Sequence, residues 1–345
     1  MSENRNQPLI EVKDLKEYFD INMGMFKTKP LKAVDGVSFS INKGETLGLV
    51  GESGCGKTTV GRTLLHLYKP TGGEIWYNGK KLETPADIKE FRKKATMVFQ
   101  DPYSSLNPRM TVGQIIGEGL ITHKFFKPRD PKMKEYILQI MEECGLQGYM
   151  LHRYPHQFSG GQRQRICIAR ALAVKPKFIV CDECVSALDV SIQSQIINLL
   201  EELKENEKLT YLFISHDLSV VRYISDRIGV MYLGNLVELG TAEEVFRDPR
   251  HPYTVALLSS IPTTDPDSAS KDRIILEGNI PSPIRPPEGC KFHTRCYMAC
   301  DKCKRVPPPY VEVSPGHFVA CHFLDKKIDE NGNYLFDRNS KKEEK

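Results

Sequence analysis

The sequence predicts an α/β fold with a parallel central sheet, and two short apolar runs and a glycine-rich loop carry that prediction. Residues 45–50 and 178–181 are largely apolar and have the length of strands that are buried on both faces. The loop at 51–58 follows the first run and precedes the helix-compatible segment 59–68. A strand, a loop and a helix in this order are typical of doubly wound sheets that bind phosphate groups.

The loop at 51–58 fits the phosphate-binding pattern G-x-x-x-x-G-K-S/T. Its glycines let backbone N–H groups converge on phosphates, while Lys57 neutralises charge and Thr58 holds Mg²⁺. The N-terminus of the following helix also favours anions, because its N–H groups are free. The residues assigned to nucleotide binding are Gly51, Ser53, Gly54, Cys55, Gly56, Lys57, Thr58 and Thr59.

Two acids follow the second apolar run. Asp182 and Glu183 lie at the carboxyl end of a predicted strand, where ligands bind in doubly wound sheets. We expect Asp182 to reach Mg²⁺, directly or through water, and Glu183 to act as the general base or water-orienting group. Adjacent acids at a strand end usually form a solvated turn. Their combination with the phosphate-binding loop favours catalysis instead.

The remaining elements follow from periodicity and turn residues. Residues 10–100 hold short strands, among them 73–77 before the turn Asn78-Gly79. Residues 111–121 and 132–144 are predicted to be helices, since apolar residues in the second recur at threes and fours. A strand is predicted at 227–232.

These motifs and their order resemble the ATP-binding-cassette (ABC) ATPases over roughly residues 10–250. The resemblance implies a P-loop cassette with a RecA-like core, an antiparallel β subdomain and a helical subdomain at about 101–175, which docks a transmembrane partner. It also implies that two cassettes face head to tail, with ATP between the P-loop of one and the signature of the other. The segments that carry it are 51–58, Gln100, 159–162, 178–183, 186–189 and His216.

The resemblance assigns further roles. His216 would sense the γ-phosphate, and Gln100 would contact Mg²⁺ and link the nucleotide to the membrane partner. An aromatic residue near the start of such chains stacks on adenine; Phe19 is the better match and Tyr18 the alternative. The signature and dimer interface would comprise Ser159, Gly160, Gly161, Gln162 and Asp189.

Two positions depart from the family pattern. Phe158 stands where Leu is commoner, which keeps an apolar anchor. Cys184 stands where Pro usually follows the catalytic acid, which removes a backbone constraint but no catalytic group. We therefore expect an active ATPase.

The region after residue 250 resembles the oligopeptide and dipeptide importer ATPases. The residues that carry this resemblance are 251–254, 281–283, 289–290 and 295–296, with 154–157 and 185–191 in the cassette. The predicted organisation is a cassette at 1–250, a Pro- and Cys-rich C-terminal region at 251–325 and a polar tail at 326–345.

Five of the ten cysteines lie in the C-terminal region. Such a cluster in a cytosolic chain suggests a metal rather than disulfides. The subfamily pattern takes Cys290, Cys296, Cys303 and Cys321, leaves Cys300 as an extra, and in some members binds a 4Fe-4S cluster. Four thiolates also suit Zn²⁺, so Fe-S, Zn²⁺ and no metal remain open.

Cys55 suggests a separate hypothesis. It lies inside the P-loop beside Lys57 and a helix N-terminus, which are conditions that lower a thiol pKa. Alkylation would then inactivate the enzyme and ATP would protect it.

Composition predicts a soluble, cytoplasmic protein. The chain is 40% hydrophobic and 27% charged, and its polar start, residues 1–8, has no signal-peptide apolar region. A net charge of +4 is too mild to indicate nucleic-acid binding.

The sequence as a whole predicts the ATPase subunit of a peptide importer on the cytoplasmic face of the membrane. The resemblance implies as partners two transmembrane permeases, an extracytoplasmic peptide-binding protein and a second cassette, which favours a heterodimer. Alternatives are another cargo such as nickel or sugars, a soluble cassette acting on nucleic acid or ribosomes, and a P-loop kinase. A kinase would lack residues 159–162, and the soluble types need a coiled-coil insertion or two cassettes.

Overall fold

The computed structural model describes residues 8–22, 28–261 and 274–324. The predicted polar tail at 326–345 and all but the last residue of the polar start lie outside the described residues. No helix within the described ranges is long and apolar enough to cross a membrane.

In the described ranges, the larger of the two sheets forms the centre of the fold, as the sequence predicts. Its strand order is β11-β12-β10-β9-β3-β8-β7-β6, and β9, β3, β8, β7 and β6 pair in parallel. Every residue of β3, β7 and β8 is buried, which the apolar composition of these strands requires. The bounds are β3 Thr46–Val50, β6 Ala95–Val98, β7 Phe178–Asp182, β8 Thr210–Ile214, β9 Arg227–Tyr232, β10 Asn235–Thr241, β11 Tyr310–Ser314 and β12 His317–Ala320.

The smaller sheet is antiparallel, with strand order β2-β1-β4-β5. Its strands are β1 Ile10–Asn22, β2 Thr28–Ile41, β4 Gly72–Tyr77 and β5 Lys80–Lys81. The predicted turn joins β4 to β5, because Asn78 (φ 49°) and Gly79 (φ 77°) both adopt the left-handed conformation of a two-residue hairpin turn. The sheet covers the side of the core that contains α1.

A helical subdomain follows β6. Its helices are α3 Pro102–Ser105, α4 Val112–Thr122, α5 Pro131–Glu143 and α6 Gly160–Ala173, with 3₁₀ turns at Gly148–His152 and Pro155–Gln157. The two predicted helices appear as α4 and α5. Thr111 caps α4 through a capping box with Gln114, and the Asp130 side chain caps α5. The apolar face of α5 is mostly core, since Ile137, Ile140 and Met141 are buried.

The other helices are α1 Lys57–Leu64, α2 Pro85–Arg92, α7 Val190–Glu207, α8 Leu218–Ile224, α9 Ala242–Arg247, α10 Pro252–Ser259 and α11 Asp301–Arg305. The predicted helix at 59–68 begins and ends earlier than expected. Helix α1 starts with Lys57, and His66 has a φ of 54°, which a right-handed helix does not allow.

The C-terminal region continues the larger sheet rather than standing apart from the cassette. Strand β12 pairs antiparallel with β10, and β11 pairs with β12 at the sheet edge. The carboxylate of Glu238, fully buried in β10, accepts hydrogen bonds from the N–H groups of Arg250 and His251 and lies 2.8 Å from Nε2 of His317. A buried charge needs such partners, so this network fixes the region to the sheet.

Candidate active site

The P-loop, residues 51–58, connects β3 to α1, and its backbone needs glycine. Gly51, Gly54 and Gly56 have φ values of 147°, 78° and 107°. A Cβ at Gly51 would lie 2.3 Å from the carbonyl oxygen of Met231, and one at Gly56 would lie 2.2 Å from that of Ala33. A side chain at Gly51 or Gly56 would collide with backbone, because the loop packs against β9 and β2 at these two positions.

The amine of Lys57 binds the backbone at the start of the P-loop. Its Nζ donates to the carbonyl oxygens of Gly51 at 2.7 Å and Glu52 at 3.1 Å, and the residue is 4% exposed. Among the described residues, these two carbonyls are the only oxygen atoms that accept a hydrogen bond from the Lys57 amine. The loop therefore holds its cation at the position where phosphate oxygens would compete for it.

Thr58 and Asp182, two of the three residues predicted to hold Mg²⁺, are in direct contact. The third, Gln100, hydrogen-bonds to Glu183. Thr58 Oγ1 donates a 2.7 Å hydrogen bond to Oδ1 of Asp182, and Oδ2 of Asp182 is buried with no partner among the described residues. Burial raises the pKa of Asp182 above its usual value. An orphaned carboxylate oxygen beside a hydroxyl fits Mg²⁺, which binds one or two protein oxygens together with substrate phosphates.

The other two predicted catalytic residues lie close to the carboxylate of Glu183. Its Oε2 accepts a 2.8 Å hydrogen bond from Gln100 Nε2 and lies 3.4 Å from His216 Nδ1. The backbone of Glu183 has a φ of 45°, and its N–H donates to the carbonyl of Ile214. A left-handed conformation at a non-glycine residue is strained, and strain of this kind concentrates at functional sites. The neighbouring Cys184 is buried, so an apolar thiol fills the position of the family's proline.

The predicted signature begins α6 on an accessible surface. Ser159 is the exposed N-cap, and it forms a capping box with Gln162. Phe158 is 5% exposed and anchors the segment in the core, as expected for an apolar replacement. In the described part of the chain, no hydrogen bond joins 159–162 to the P-loop.

Asp189 lies beside the signature. Its carboxylate caps α7 through the N–H of Ile192 at 3.0 Å, and Ile192 packs against Gly161. Leu188 packs in turn against Gly160. The structure thus brings the two predicted interface segments together on one surface, and residues 184–188 connect that surface to Glu183, the predicted catalytic residue.

The two candidate adenine-stacking residues lie side by side in β1 with different surroundings. The ring of Phe19 makes an edge contact with Tyr68, with centroids 5.3 Å apart. The hydroxyl of Tyr18 donates to Asp35, and the amine of Lys32 lies 5.4 Å from the centroid of its ring. The side chain of Tyr18 is thus contacted by Asp35 and Lys32, whereas that of Phe19 makes one ring contact. Adenine stacking by Phe19 stays a prediction.

The hypothesis of a reactive Cys55 is wrong for this structure. The residue is 4% exposed, and burial raises the pKa of its thiol despite the opposing effect of Lys57. Desolvation of the thiolate outweighs a cation 3.8 Å away. The sequence could not show this, because Cys55 lies in a core cluster that includes residues of strands far away in the chain.

The five cysteines of the C-terminal region are free thiols. Burial raises the pKa of Cys296 to about 12 and of Cys321 to about 11, and the neighbouring thiols add to both shifts. The Sγ atoms of Cys300 and Cys303 are 3.6 Å apart. Within the described ranges, no three His, Cys, Asp or Glu side chains converge as a metal site. The arrangement therefore gives the predicted Fe-S cluster or Zn²⁺ no support.

Sequence reasoning missed three residues around the P-loop: Glu52 within it and Tyr253 and Arg295 from the C-terminal region. The guanidinium of Arg295 binds both carboxylate oxygens of Glu52, and the hydroxyl of Tyr253 accepts the Glu52 N–H. Tyr253 and Arg295 both belong to motifs that are typical of the subfamily, 251–254 and 295–296. Their contacts with Glu52 have no local signal, because 201 and 243 residues separate the partners.

The fold and this constellation define an ABC-class P-loop ATPase. The ABC transporter family matches residues 34–186, and the oligopeptide/dipeptide transporter C-terminal region matches residues 237–303. A dimeric, post-hydrolysis ATP-binding cassette bound to ADP and Pi has a TM-score of 0.60 and 27% identity, over 68% of this chain and 98% of that one. The cbiO1 cassette of Clostridium perfringens has a TM-score of 0.60 and is 25% identical, over 70% of this chain and 92% of that one.

The most similar curated proteins include ATP-binding proteins of peptide transport. The oligopeptide transport ATP-binding protein AppF of Bacillus subtilis is 54% identical over 93% of this chain and 99% of its own length. The oligopeptide transport ATP-binding protein OppF of Escherichia coli is 50% identical over 92% of this chain and 96% of its own length. The dipeptide transport ATP-binding protein DppF of Haemophilus influenzae is 47% identical over 93% of this chain and 98% of its own length. The chain belongs to this family of oligopeptide and dipeptide transport ATP-binding proteins.

Proposed function

We propose that the chain is the ATP-hydrolysing subunit of an importer that carries oligopeptides or dipeptides across the cytoplasmic membrane. The observation that carries the proposal is the convergence of Gln100 and His216 on Glu183, beside the Thr58–Asp182 pair. The names of its relatives support peptides as the cargo. The match of the C-terminal region to a peptide transporter family supports the same cargo.

The chain's own residues supply binding, orientation and proton transfer. Backbone N–H groups and Lys57 bind phosphates, and Asp182 and Thr58 hold Mg²⁺, which neutralises phosphate charge when bound. Glu183 accepts a proton from the attacking water, while Gln100 and His216 fix the direction of its carboxylate. Phosphoryl transfer depends mainly on such positioning and electrostatics.

The exposed signature supports a paired cassette. Ser159 and the glycines that follow begin a 14-residue helix, and its free N–H groups would meet the γ-phosphate held by the partner's P-loop. Asp189 would line the same interface. In this subfamily we expect a second, related chain as the partner, with two permeases docked on residues 101–175 and a peptide-binding protein outside. The chain would then lie at the cytoplasmic face of the membrane.

A metal at Cys290, Cys296, Cys303 and Cys321 stays a prediction from the sequence. Binding would require these thiols to lose their protons and to rearrange, because a metal ligates the thiolate. Anaerobic purification of the full chain, followed by iron, sulfide and zinc analysis, tests it. A folded protein that contains none of the three would remove the metal hypothesis.

Copurification tests the proposed function. The tagged chain is gently solubilised from membranes of its native host, and its partners are identified by mass spectrometry. Two permeases, a second cassette and a peptide-binding protein are the expected result. Ribosomal or DNA-bound partners without any membrane protein would overturn the transport function and leave the ATPase intact.

A further inference from the structure

The P-loop of this chain contains an acid. Glu52 directly follows Gly51, in a loop whose purpose is to attract phosphate. A carboxylate close to a triphosphate opposes binding by like-charge repulsion, and the effect is larger where water is partly excluded. The side chain of Glu52 is only 24% exposed, so solvent screens it incompletely. Tight ATP binding requires something to offset this charge.

The guanidinium of Arg295 supplies the positive charge that offsets the carboxylate of Glu52. Its Nη1 lies 2.6 Å from Oε2 of Glu52 and its Nη2 lies 3.0 Å from Oε1, so the planar guanidinium binds the carboxylate through both oxygens. The Arg295 side chain is 8% exposed. A two-point contact with a rigid fork both neutralises the carboxylate and fixes its direction.

Tyr253 fixes the backbone of the same residue. Its hydroxyl accepts the N–H of Glu52 at 2.9 Å, and its fully buried ring packs on Phe292 with centroids 5.3 Å apart. The carbonyl of Glu52 accepts from the Lys57 amine and from the N–H of Cys55. Three groups of Glu52 are thus held at once, two of them by the C-terminal region.

From these contacts we infer that the C-terminal region is part of the nucleotide site, with Arg295 and Tyr253 as positioning residues that act through Glu52. Arg295 neutralises the Glu52 carboxylate and holds it away from the phosphates, and Tyr253 sets the course of the loop. The ligand is a nucleoside triphosphate, so the inference rests on the proposed ATPase function. It assigns part of the ATP affinity to residues outside the cassette motifs.

Charge removal in two steps tests the inference. Equilibrium binding of Mg·ATP to the full chain is measured for Arg295→Gln and for the double variant Glu52→Gln/Arg295→Gln. The single variant leaves Glu52 uncompensated, so we expect Kd to rise at least about tenfold. The double variant removes the acid as well and should recover to within about threefold of wild type. An unchanged Kd for Arg295→Gln, or a double variant no better than the single one, would overturn the inference.

Two further measurements separate positioning from a general loss of structure. Added salt should shrink the ATP defect of Arg295→Gln, because the defect is electrostatic, whereas a folding defect would not respond in this way. Arg295→Lys keeps the charge without the fork and should bind ATP better than Arg295→Gln. Arg227→Gln is the matched control: it breaks a comparable pair with Glu45 (3.1 Å) at the opposite end of β3, and should lower Tm but not ATP affinity.

A milder variant covers the case in which Arg295→Gln does not fold. Tyr253→Phe keeps the packed ring and deletes only the hydroxyl that receives the Glu52 N–H, so Kd should rise about threefold to tenfold. Tyr211→Phe deletes a buried hydroxyl bonded to the Leu200 carbonyl at 3.0 Å and should leave Kd unchanged. Equal Kd values for the two variants would contradict the role of Tyr253. A wild-type chain that binds no ATP would instead refute the proposed function.

Discussion

Gln100 donates a 2.8 Å hydrogen bond to Oε2 of Glu183, the oxygen that also lies 3.4 Å from Nδ1 of His216. Gln100 follows β6 and His216 follows β8, on either side of β7, the strand that carries the acid. Because they converge on one oxygen, the other oxygen of Glu183 can receive a proton from water. The arrangement supports the proposed role of Glu183 as the base, with the other two residues as its positioning partners.

Glu183→Gln should therefore separate binding from hydrolysis. The amide keeps the size of the side chain but cannot accept the proton, so ATP hydrolysis should fall by about 10²-fold to 10⁴-fold with ATP binding retained. The closed dimer should accumulate with ATP. Phosphate release and ATP-dependent association on size-exclusion chromatography measure the two effects, and wild-type turnover would remove Glu183 from its role.

Asp182→Asn should stabilise the nucleotide-free protein while abolishing Mg²⁺-dependent hydrolysis. Burial raises the pKa of this carboxyl, so the folded state binds more protons than the unfolded one between the two pKa values. Its contribution to stability therefore falls as pH rises through that window, and at neutral pH the ionised group is a cost that Asn removes. Thermal unfolding at pH 7 should give a higher Tm for Asn, and a lower one would contradict the argument.

Phe19→Ala should weaken ATP binding more than Tyr18→Ala. Stacking of a base on an aromatic ring contributes about 1–3 kcal/mol, which corresponds to a loss of about fivefold to 150-fold in affinity. The Tyr18 side chain is already engaged by Asp35 and Lys32. Titration of both variants with ATP decides the matter, and the reverse order would assign adenine to Tyr18.

Gly160→Ala and Gly161→Ala should behave differently although the residues are neighbours. A Cβ at Gly160 meets only Leu188 Cδ2 at 3.5 Å, whereas one at Gly161 would lie 2.5 Å from Ile192 Cγ2. Gly160→Ala should keep Tm and lower hydrolysis through the partner interface, while Gly161→Ala should lose about 1–3 kcal/mol of stability by overpacking. Denaturant unfolding and ATPase assays distinguish them; equal stability losses would contradict the packing argument.

Cys55 should alkylate slowly in the native chain. Its burial and raised pKa leave little accessible thiolate. Peptide mass spectrometry after treatment with iodoacetamide should find Cys55 unmodified when the half-buried thiols of Cys290, Cys296 and Cys300 have reacted, with or without ATP. Rapid modification that ATP prevents would restore the hypothesis of a reactive P-loop thiol.

Local patterns predicted the central strands well. The apolar runs at 45–50 and 178–181 appear as Thr46–Val50 and Phe178–Asp182, and the run at 227–232 appears as Arg227–Tyr232. The end of α1 was not predicted, because the positive φ of His66 has no strong local signal. The shielding of Cys55 was missed for a related reason, since it depends on strands far away in the chain.

The sequence by itself determined the ATPase class, because phosphate binding and proton transfer require particular residue types at particular spacings, and 51–58, 159–162 and Asp182-Glu183 contain them. The tertiary structure alone decided which of these residues meet. It brought Gln100 and His216 to one carboxylate, buried Cys55, and joined Arg295 to Glu52 across 243 residues. Contacts of that separation depend on how strands and loops pack, and the spacing of residues along the chain does not encode them locally.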